Sequence, residues 1–511
     1  MSYLIGLDVG TTGCKVLLIN PAGEVIASAT EEYPMYTPRP LWAEQNPEDW
    51  WRAAQACFRA LLAHLRPDQI KGIGLTGQMH GLVLLDKAGQ VLRPCIMWND
   101  QRTAAQCYAM TEKVGADRLL RIAGNPALPG FTAPKILWVK EHEPQVYAKT
   151  AHVLLPKDYI RYRLTGELAT EVSDAAGTIL LDVGKRQWSE EILRDLDVPR
   201  DWMPAVHESP VITGKVSKAA ATATGLREGT PIVGGGGDQA AGAVGSGIVK
   251  AGIVSVTVGT SGVVFAHTDN LMVEPQGRLH AFCHAVPGAW HVMGVTLAAG
   301  GSLRWFRDTL GHPERAVAEL TGVDPYFVLM AEAAKAPAGS EGLLFLPYLS
   351  GERTPYPDPN AKGVFCGLTV RHAKPHLVRA VMEGVTYSLR DCVELIKGMG
   401  LSIGQVRASG GGARSELWRQ ILAEVFDVEL VTLTSTEGAP YGAALLAGVG
   451  TGVYANVPEA CENTLHVATL VEPDPQRAQI YEDYYQIYRQ MYGTLKPRFD
   501  EISKVVERYA V

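Results

Sequence analysis

Hydrophobic residues near the start of the chain come in short runs separated by glycine-rich turns. Residues 3–8 form one run, followed by Gly10-Thr11-Thr12-Gly13. A second run covers 14–20, then come the turn Pro21-Ala22-Gly23-Glu24 and a third run over 25–29. Strand, tight turn, strand, turn, strand predicts a meander. From Pro47 to Leu65 the apolar spacing becomes helical. Pro47 suits a first turn, and Trp51, Ala54, Cys57, Phe58, Leu61 and Leu62 share one face. Residues 70–75 return as a strand, and 82–85 and 91–97 read as a pair joined by the turn Asp86-Lys87-Ala88-Gly89. Helical patterns follow over 103–114 and 135–140. A strand over 231–233 then runs into four glycines and Asp238, with a helix over 240–249. Strands alternating with helices predict an α/β fold. Two further helices are expected over 479–495 and 501–510, packed on the second half.

The pattern then begins again. The stretch 4–19 lies over 252–267 with a shared V-G-T-[TS]-G core, and 70–80 echoes 403–413, each a strand entering a glycine turn. Two echoes in the same order predict two similar α/β halves with a boundary near residue 250. A chain of 511 residues has room for two to four domains at roughly 150 residues each.

Composition removes several classes of function. Apolar residues at 47% against charged residues at 20% exclude disorder and coiled coil. A net charge of -7 carries no nucleic-acid footprint. The N-terminus lacks a basic segment, and Asp8 interrupts its apolar run, so it does not read as a signal peptide. The most apolar stretch, 251–266, is shorter than the roughly 20 residues of a membrane span and reads as buried strands around a turn. The eight cysteines include no C-x-x-C pair, which predicts buried thiols in a reducing, cytoplasmic compartment.

The candidate chemistry lies in the glycine knots. The chain has no G-x-x-x-x-G-K-[ST] motif. The formal G-x-G-x-x-G at 72–77 starts inside a strand and leads into another strand, which rejects a dinucleotide fingerprint. At Asp8-x-Gly10-Thr11-Thr12-Gly13, glycines let amides converge on an anion, two hydroxyls add donors, and Lys15 adds charge. Asp8 at a strand end needs a partner, which Mg²⁺ or its water shell would supply; a plain hairpin is the alternative. Val258-Gly259-Thr260-Ser261-Gly262 repeats the amides and hydroxyls with Thr257 in place of Asp8. Asp238 opens a helix after Gly234–Gly237, where it is either the helix cap or a general base toward a ligand hydroxyl. Gly300-Gly301, and Gly410-Gly411-Gly412 with Arg414 and Ser415, would admit a flat ring or phosphates, or are tight turns. Gln78-Met79-His80 and Trp98-Asn99-Asp100-Gln101-Arg102 follow strands. There His80, Asn99 and Asp100 could bind polyol hydroxyls with Trp98 as an apolar wall, or His80 is a turn residue. Lys157-Asp158 is a further polar pair.

Taken in order, GLDVGTTGCK at 6–15, GLTGQMHG at 74–81, IMWNDQR at 96–102, LLPKDYIRYRLTGE at 154–167, GGGGDQAAGAVGSG at 234–247, VTVGTSG at 256–262 and SGGGARSELWRQILAEVF at 409–426 resemble the FGGY carbohydrate kinases of the actin, sugar kinase and Hsp70 superfamily. The resemblance implies two ribonuclease-H-like domains with a deep cleft. The first, 1–250, would hold the sugar and the base, and the second, 251–511, the nucleotide and the C-terminal helices. It implies Mg²⁺-dependent transfer of the ATP γ-phosphoryl group to a pentulose, D-xylulose first, with ribulose, gluconate or glycerol as alternatives. A further alternative is an ATP-binding switch module without kinase activity. Asp238 then matches the catalytic base and Asp8 the metal-positioning aspartate, with Asp238 a second metal contact. Thr11, Thr12, Gly13, Lys15, Gly259, Thr260, Gly300, Gly411 and Ser415 match the ATP site. Met79, His80, Asn99, Asp100, Asp238 and Gln239 match the sugar site. Glycerol kinases carry Arg-Glu in place of Met79-His80, Arg in place of Lys15 and Asn in place of Ser415. The expected partners are the sugar and ATP, with no nucleic acid or membrane and with a homodimer allowed.

Overall fold

The computed structural model describes residues 2–63 and 65–509. His64, inside the first expected helix, and Ala510, at the expected end of the last one, lie outside the described residues. The chain divides into two compact units. One comprises 1–250, 267–291 and 435–466; the other comprises 251–266, 292–434 and 467–511. The division is therefore not a single break at residue 250, because two later segments return to the first unit.

The sheet of the first unit contains β1 (Tyr3–Val9), β2 (Gly13–Ile19), β3 (Val25–Glu32), β4 (Ile70–Gly77), β5 (Ile212–Lys215) and β6 (Pro231–Val233). Its order is β5-β6-β4-β1-β2-β3, with Gly236–Gly237 also pairing with β4. β1 and β2 form the expected antiparallel hairpin, and β1, β4 and β6 run parallel. Side chains alternate across a strand. Ile5, Leu7 and Val9 pack with Trp50, Cys57 and Phe58 of α1 (Pro47–Leu62), whereas Leu4 packs with Tyr441 and Leu445 of the helix Gly438–Gly450. Both faces are covered, which is why β1 reads as a nearly continuous apolar run. The helix Gly438–Gly450 lies flush on the sheet. A Cβ at Gly6 would stand 1.8 Å from the Pro440 carbonyl oxygen, and one at Gly74 would stand 1.9 Å from that of Ala443.

The second unit repeats this plan. β7 (Ile253–Val258), β8 (Gly262–Thr268), β9 (Trp290–Thr296), β10 (Gln405–Ser409), β11 (Glu429–Leu433) and β12 (Val467–Val471) run in the order β12-β11-β10-β7-β8-β9. β7 is antiparallel to β8 and parallel to β10, β10 is parallel to β11, and β12 returns antiparallel. Strand for strand, this is the order and direction of β5-β6-β4-β1-β2. The echo of 70–80 in 403–413 corresponds to β4 and β10.

Some expected elements took other partners. Val83–Leu85 pairs with His152–Leu154, and Cys95–Ile96 pairs with Glu44–Gln45; the expected local hairpin keeps only a bridge at Leu85 and Val91. Long-range pairing thus displaces the short-range reading. The helix after the glycine run covers Asp238–Gly245, and a single helix, Pro475–Tyr509, replaces the two expected at the end. Among the described residues no helix is long and apolar enough to cross a membrane.

Candidate active site

Ligands of α/β folds gather at the carboxyl ends of parallel strands. In the first unit that end carries most of the residues singled out above. Asp8 pairs with Lys15 across the hairpin and with Thr76 on the other side, and Thr76 pairs in turn with Gly236. Asp238 begins α2 (Asp238–Gly245) one residue beyond the Gly237–Gly77 pair. Asp8 and Asp238 therefore flank the end of β4, two interstrand steps of roughly 4.8 Å apart along the sheet.

Gly237 holds the N-cap position of α2 and Asp238 is its first residue, so Asp238 is not the helix cap. Burial pushes Asp238 up to about 6 against the backbone and side-chain hydrogen bonds of Gln239. Burial also holds Asp8 up to about 7, helped by the Asp238 charge and opposed by Lys15. Asp8 Oδ1 is buried without a hydrogen-bond partner. Loss of solvent around a carboxylate favours its protonated form, and both groups titrate close to neutrality for this reason.

The turn Gly10–Gly13 is held from several directions. The Gly10 N–H donates to the Gly13 carbonyl at 3.0 Å, and Gln45 Nε2 donates to the Thr11 carbonyl at 2.7 Å. The Tyr33 hydroxyl donates to the Gly10 carbonyl, and the Tyr33 N–H to that of Thr12. Trp98 Nε1 donates to Thr11 Oγ1 at 3.0 Å, so Trp98 supports this turn. Lys15 pairs with Glu437, and its expected phosphate contact competes with that internal partner.

Met79 and His80 follow β4. Met79 is buried against Gly237, where a Cβ would stand 2.9 Å from its Cγ. His80 has φ 69°, a left-handed conformation. Its carbonyl accepts from Lys135 Nζ at 2.8 Å and from Thr132 Oγ1 at 3.1 Å. His80 Nδ1 lies 2.7 Å from the Gly177 carbonyl oxygen, which requires the hydrogen on Nδ1. The ring packs edge-on against Phe131 at 4.9 Å. His80 is thus both a turn residue and a fixed imidazole.

Of the neighbours Asn99 and Asp100, Asp100 differs from its expected role. Asn99 is half-buried, with its amide nitrogen 3.7 Å from Met35 Sδ. Asp100 is fully buried. One oxygen accepts from the Ala43 N–H at 2.7 Å, and the carboxylate is gripped by the Arg102 guanidinium, which stacks 3.7 Å from the Trp42 ring centroid. A carboxylate saturated in this way anchors its own loop and offers nothing to a sugar hydroxyl.

In the second unit, the turn between β7 and β8 and two helix starts line a cavity of about 1000 Å³. The Gly300 N–H donates to the Gly259 carbonyl at 2.7 Å and the Gly301 N–H to that of Thr260 at 3.0 Å, seating the turn on α3 (Gly300–Leu310). A Cβ at Gly300 would lie 2.6 Å from the Gly259 oxygen. Gly411, Gly412 and Arg414 form another wall. Ser415 also lines the cavity, but its hydroxyl caps α4 (Glu416–Phe426) by accepting from the Trp418 N–H at 3.2 Å. Thr257, in the position equivalent to Asp8, shares a 2.9 Å hydroxyl contact with Ser409 and so needs no cation.

Sequence reading missed the wall formed by Arg304, Tyr326, Phe327 and Met330. Its one local signal was Asp324-Pro325, a helix start in which Asp324 caps the Tyr326 N–H at 2.8 Å. Nothing there indicates a ligand. Glu437 was also missed, as were Glu171, Ser173 and Gly177 beneath the first-unit site.

Two profiles of the FGGY family of carbohydrate kinases match the chain, the N-terminal domain over residues 3–245 and the C-terminal domain over 254–451. The chain is 44% identical over 497 residues to the xylulose kinase of Escherichia coli (strain K12), covering 96% of this chain and 99% of the relative. It is 32% identical over 508 residues to the gluconokinase of Bacillus subtilis (strain 168), covering 99% and 96%. The crystal structure of ligand-bound xylulose kinase from Lactobacillus acidophilus matches with a TM-score of 0.91 at 27% identity, covering 98% of this chain and 100% of that one.

Proposed function

The chain belongs to the FGGY family of carbohydrate kinases, and on that premise we propose that it transfers the γ-phosphoryl group of ATP to the terminal hydroxyl of D-xylulose, with Asp238 as general base. The observation that carries the assignment is that Asp238, half-buried and held up to about 6, directly follows Gly237, which pairs with Gly77 and packs against Met79 at the end of the neighbouring strand. The choice of sugar rests on the 44% identity with a xylulose kinase over nearly the whole chain.

As the bond from the sugar oxygen to the γ-phosphorus forms, the hydroxyl proton passes to Asp238 and the bond from phosphorus to the β–γ bridging oxygen breaks. The products are ADP and the sugar phosphate. A carboxylate near 6 is a stronger base than an ordinary aspartate and remains ionised at neutral pH. His80 brings to the sugar site a ring held in place by the Gly177 carbonyl and by Phe131. Within the first unit the Gly10–Gly13 turn offers amides and the Thr11 and Thr12 hydroxyls to phosphate; within the second, the Gly259–Gly262 turn and the Thr260 hydroxyl do so beside the cavity that takes the nucleoside.

Mg²⁺ fits at Asp8. An orphaned buried oxygen on a carboxylate held up to about 7 is a position that a dication would satisfy. Among the described residues no group of three ligating side chains surrounds it, so the remaining ligands would be water and phosphate oxygens. Bound there, the ion would offset charge on the phosphoryl oxygens. Seven of the eight cysteines are buried free thiols, as expected, whereas Cys366 is an exposed one; free thiols and the use of ATP suit a reducing compartment, the cytoplasm.

A coupled assay of ADP production over pentuloses, hexuloses, gluconate and glycerol tests this assignment. The highest kcat/KM should fall on D-xylulose. A higher value on gluconate would transfer the assignment to the activity of the 32%-identical relative. No sugar-dependent ATP turnover at all would overturn the kinase reading.

A further inference from the structure

Beneath the first-unit site lies a buried network that the reaction itself does not use. Glu171, Ser173, Asp174, Ser209 and Lys157 are each 0% exposed. Glu171 is its hub. One carboxylate oxygen accepts from Ser173 Oγ at 2.9 Å and the Asp174 N–H at 2.8 Å; the other accepts from the Ser173 N–H at 2.7 Å and Ser209 Oγ at 2.9 Å. Each of the two serines in turn holds the glycine run before Asp238. The Gly237 N–H donates to Ser173 Oγ at 3.1 Å, and the Gly235 N–H donates to the Ser209 carbonyl at 3.0 Å. Ser173 lies in the short helix Val172–Ala176, and Gly177, which ends that helix, receives His80 Nδ1 on its carbonyl at 2.7 Å. One end of this helix therefore fixes the backbone next to Asp238, and the other fixes the imidazole of His80.

We propose that Glu171, Ser173 and Gly177 are positioning residues that set Asp238 and His80 relative to one another. The inference rests on the kinase reading of those two residues. The geometry gives it four supports. Ser173 Oγ has both roles committed, donating to Glu171 and accepting from Gly237. Gly77, between Asp8 and Asp238, sits directly above the cluster, since its Cβ would lie 3.4 Å from Lys157 Cβ. Lys157 Nζ, 2.6 Å from Asp158, 3.2 Å from Asp174 and 3.6 Å from Glu171, locks the acidic side chains in place. At Gly177, a Cβ would stand 2.6 Å from His80 Nδ1, so any side chain there displaces the ring. A general base works only within hydrogen-bond reach of its proton, and a misplacement of about 1 Å can cost roughly a hundredfold.

The test is steady-state kinetics of the full-length enzyme with ATP and its sugar, beside thermal melting. Ser173→Ala should lower kcat about tenfold or more while leaving the ATP KM within about twofold. Gly177→Ala should raise the sugar KM about fivefold, again sparing the ATP KM. A folded Ser173→Ala enzyme with wild-type kcat overturns the proposal. So does a loss in which kcat and the ATP KM worsen together with the melting temperature, since that marks general destabilisation. If Ser173→Ala does not fold, Glu171→Gln, which turns one acceptor oxygen of the hub into a donor, carries the same expectation for kcat and the same overturning outcome. An inactive wild type would instead reject the kinase assignment, which keeps the two failures apart.

Discussion

Asp238 stands one strand beyond β4 from Asp8, and its charge joins burial in holding Asp8 up to about 7. On the proposed function the two carboxylates divide the work: Asp238, held up to about 6, serves as the base, and Asp8 keeps a buried oxygen without a hydrogen-bond partner that the magnesium ion would satisfy. Removing either side chain should leave the fold intact, because neither contributes a strand hydrogen bond through its side chain.

Asp238→Ala should lower kcat by about two to four orders of magnitude, the usual contribution of a positioned base. ATP binding, in which the proposed function gives the Asp238 side chain no part, should be unchanged. Steady-state kinetics beside nucleotide titration checks this. Turnover near that of the wild type would remove Asp238 from the reaction.

The pH dependence follows from the sign of the same shift. The base must be ionised to accept a proton. With Asp238 near 6, activity should be level above neutrality and fall as pH drops through about 6. Below that value kcat/KM for the sugar should lose about tenfold per pH unit. An acid limb at the ordinary aspartate position near 4 would contradict the burial around α2.

Asp8→Asn should raise the Mg²⁺ concentration needed for half-maximal activity. With Asp8 held up to about 7, protons would compete with a magnesium ion bound there as proposed, so the half-saturating Mg²⁺ should fall on going from pH 6 to pH 8. The asparagine variant should lose that dependence. Metal titrations at the two pH values compare them directly.

What the sequence disclosed follows from the range of the interactions. The two V-G-T-[TS]-G turns, the Gly234–Gly237 run and Asp238 were legible because glycine at a strand end is a local requirement of the backbone. The repeated strand order was legible from the same signals. Glu437 was not, since it stands 422 residues from its partner Lys15. The brace from Glu171 to Gly177 was not legible either, because its partners Gly237 and His80 are reached only through the fold. Asp100 misled for a related reason. A carboxylate beside Trp98 and Asn99 suits a polyol site until Arg102 and the Ala43 N–H are found to saturate it. The return of 435–466 to the first unit left no compositional mark, although the glycines facing it in β1 and β4 did record a close approach.

Glu352 gives the last prediction, one of stability. It is buried in the second unit, and one of its oxygens accepts from the Leu297 N–H at 2.9 Å and the Arg353 N–H at 2.7 Å. Burial outweighs those bonds and pushes it up to about 8 from an ordinary value of 4.5. Between these values the folded state keeps a proton that the unfolded state releases. Its contribution to stability is therefore complete below about 4.5 and is lost as pH rises through about 8. The slope from this one group is at most about 1.4 kcal/mol per pH unit. Glu352→Gln reproduces the protonated form at every pH, with its carbonyl oxygen still able to accept both N–H groups. Relative to wild type, its melting temperature should rise steadily from pH 5 to pH 9. A difference that stays flat over that range would mean Glu352 is already ionised in the folded protein.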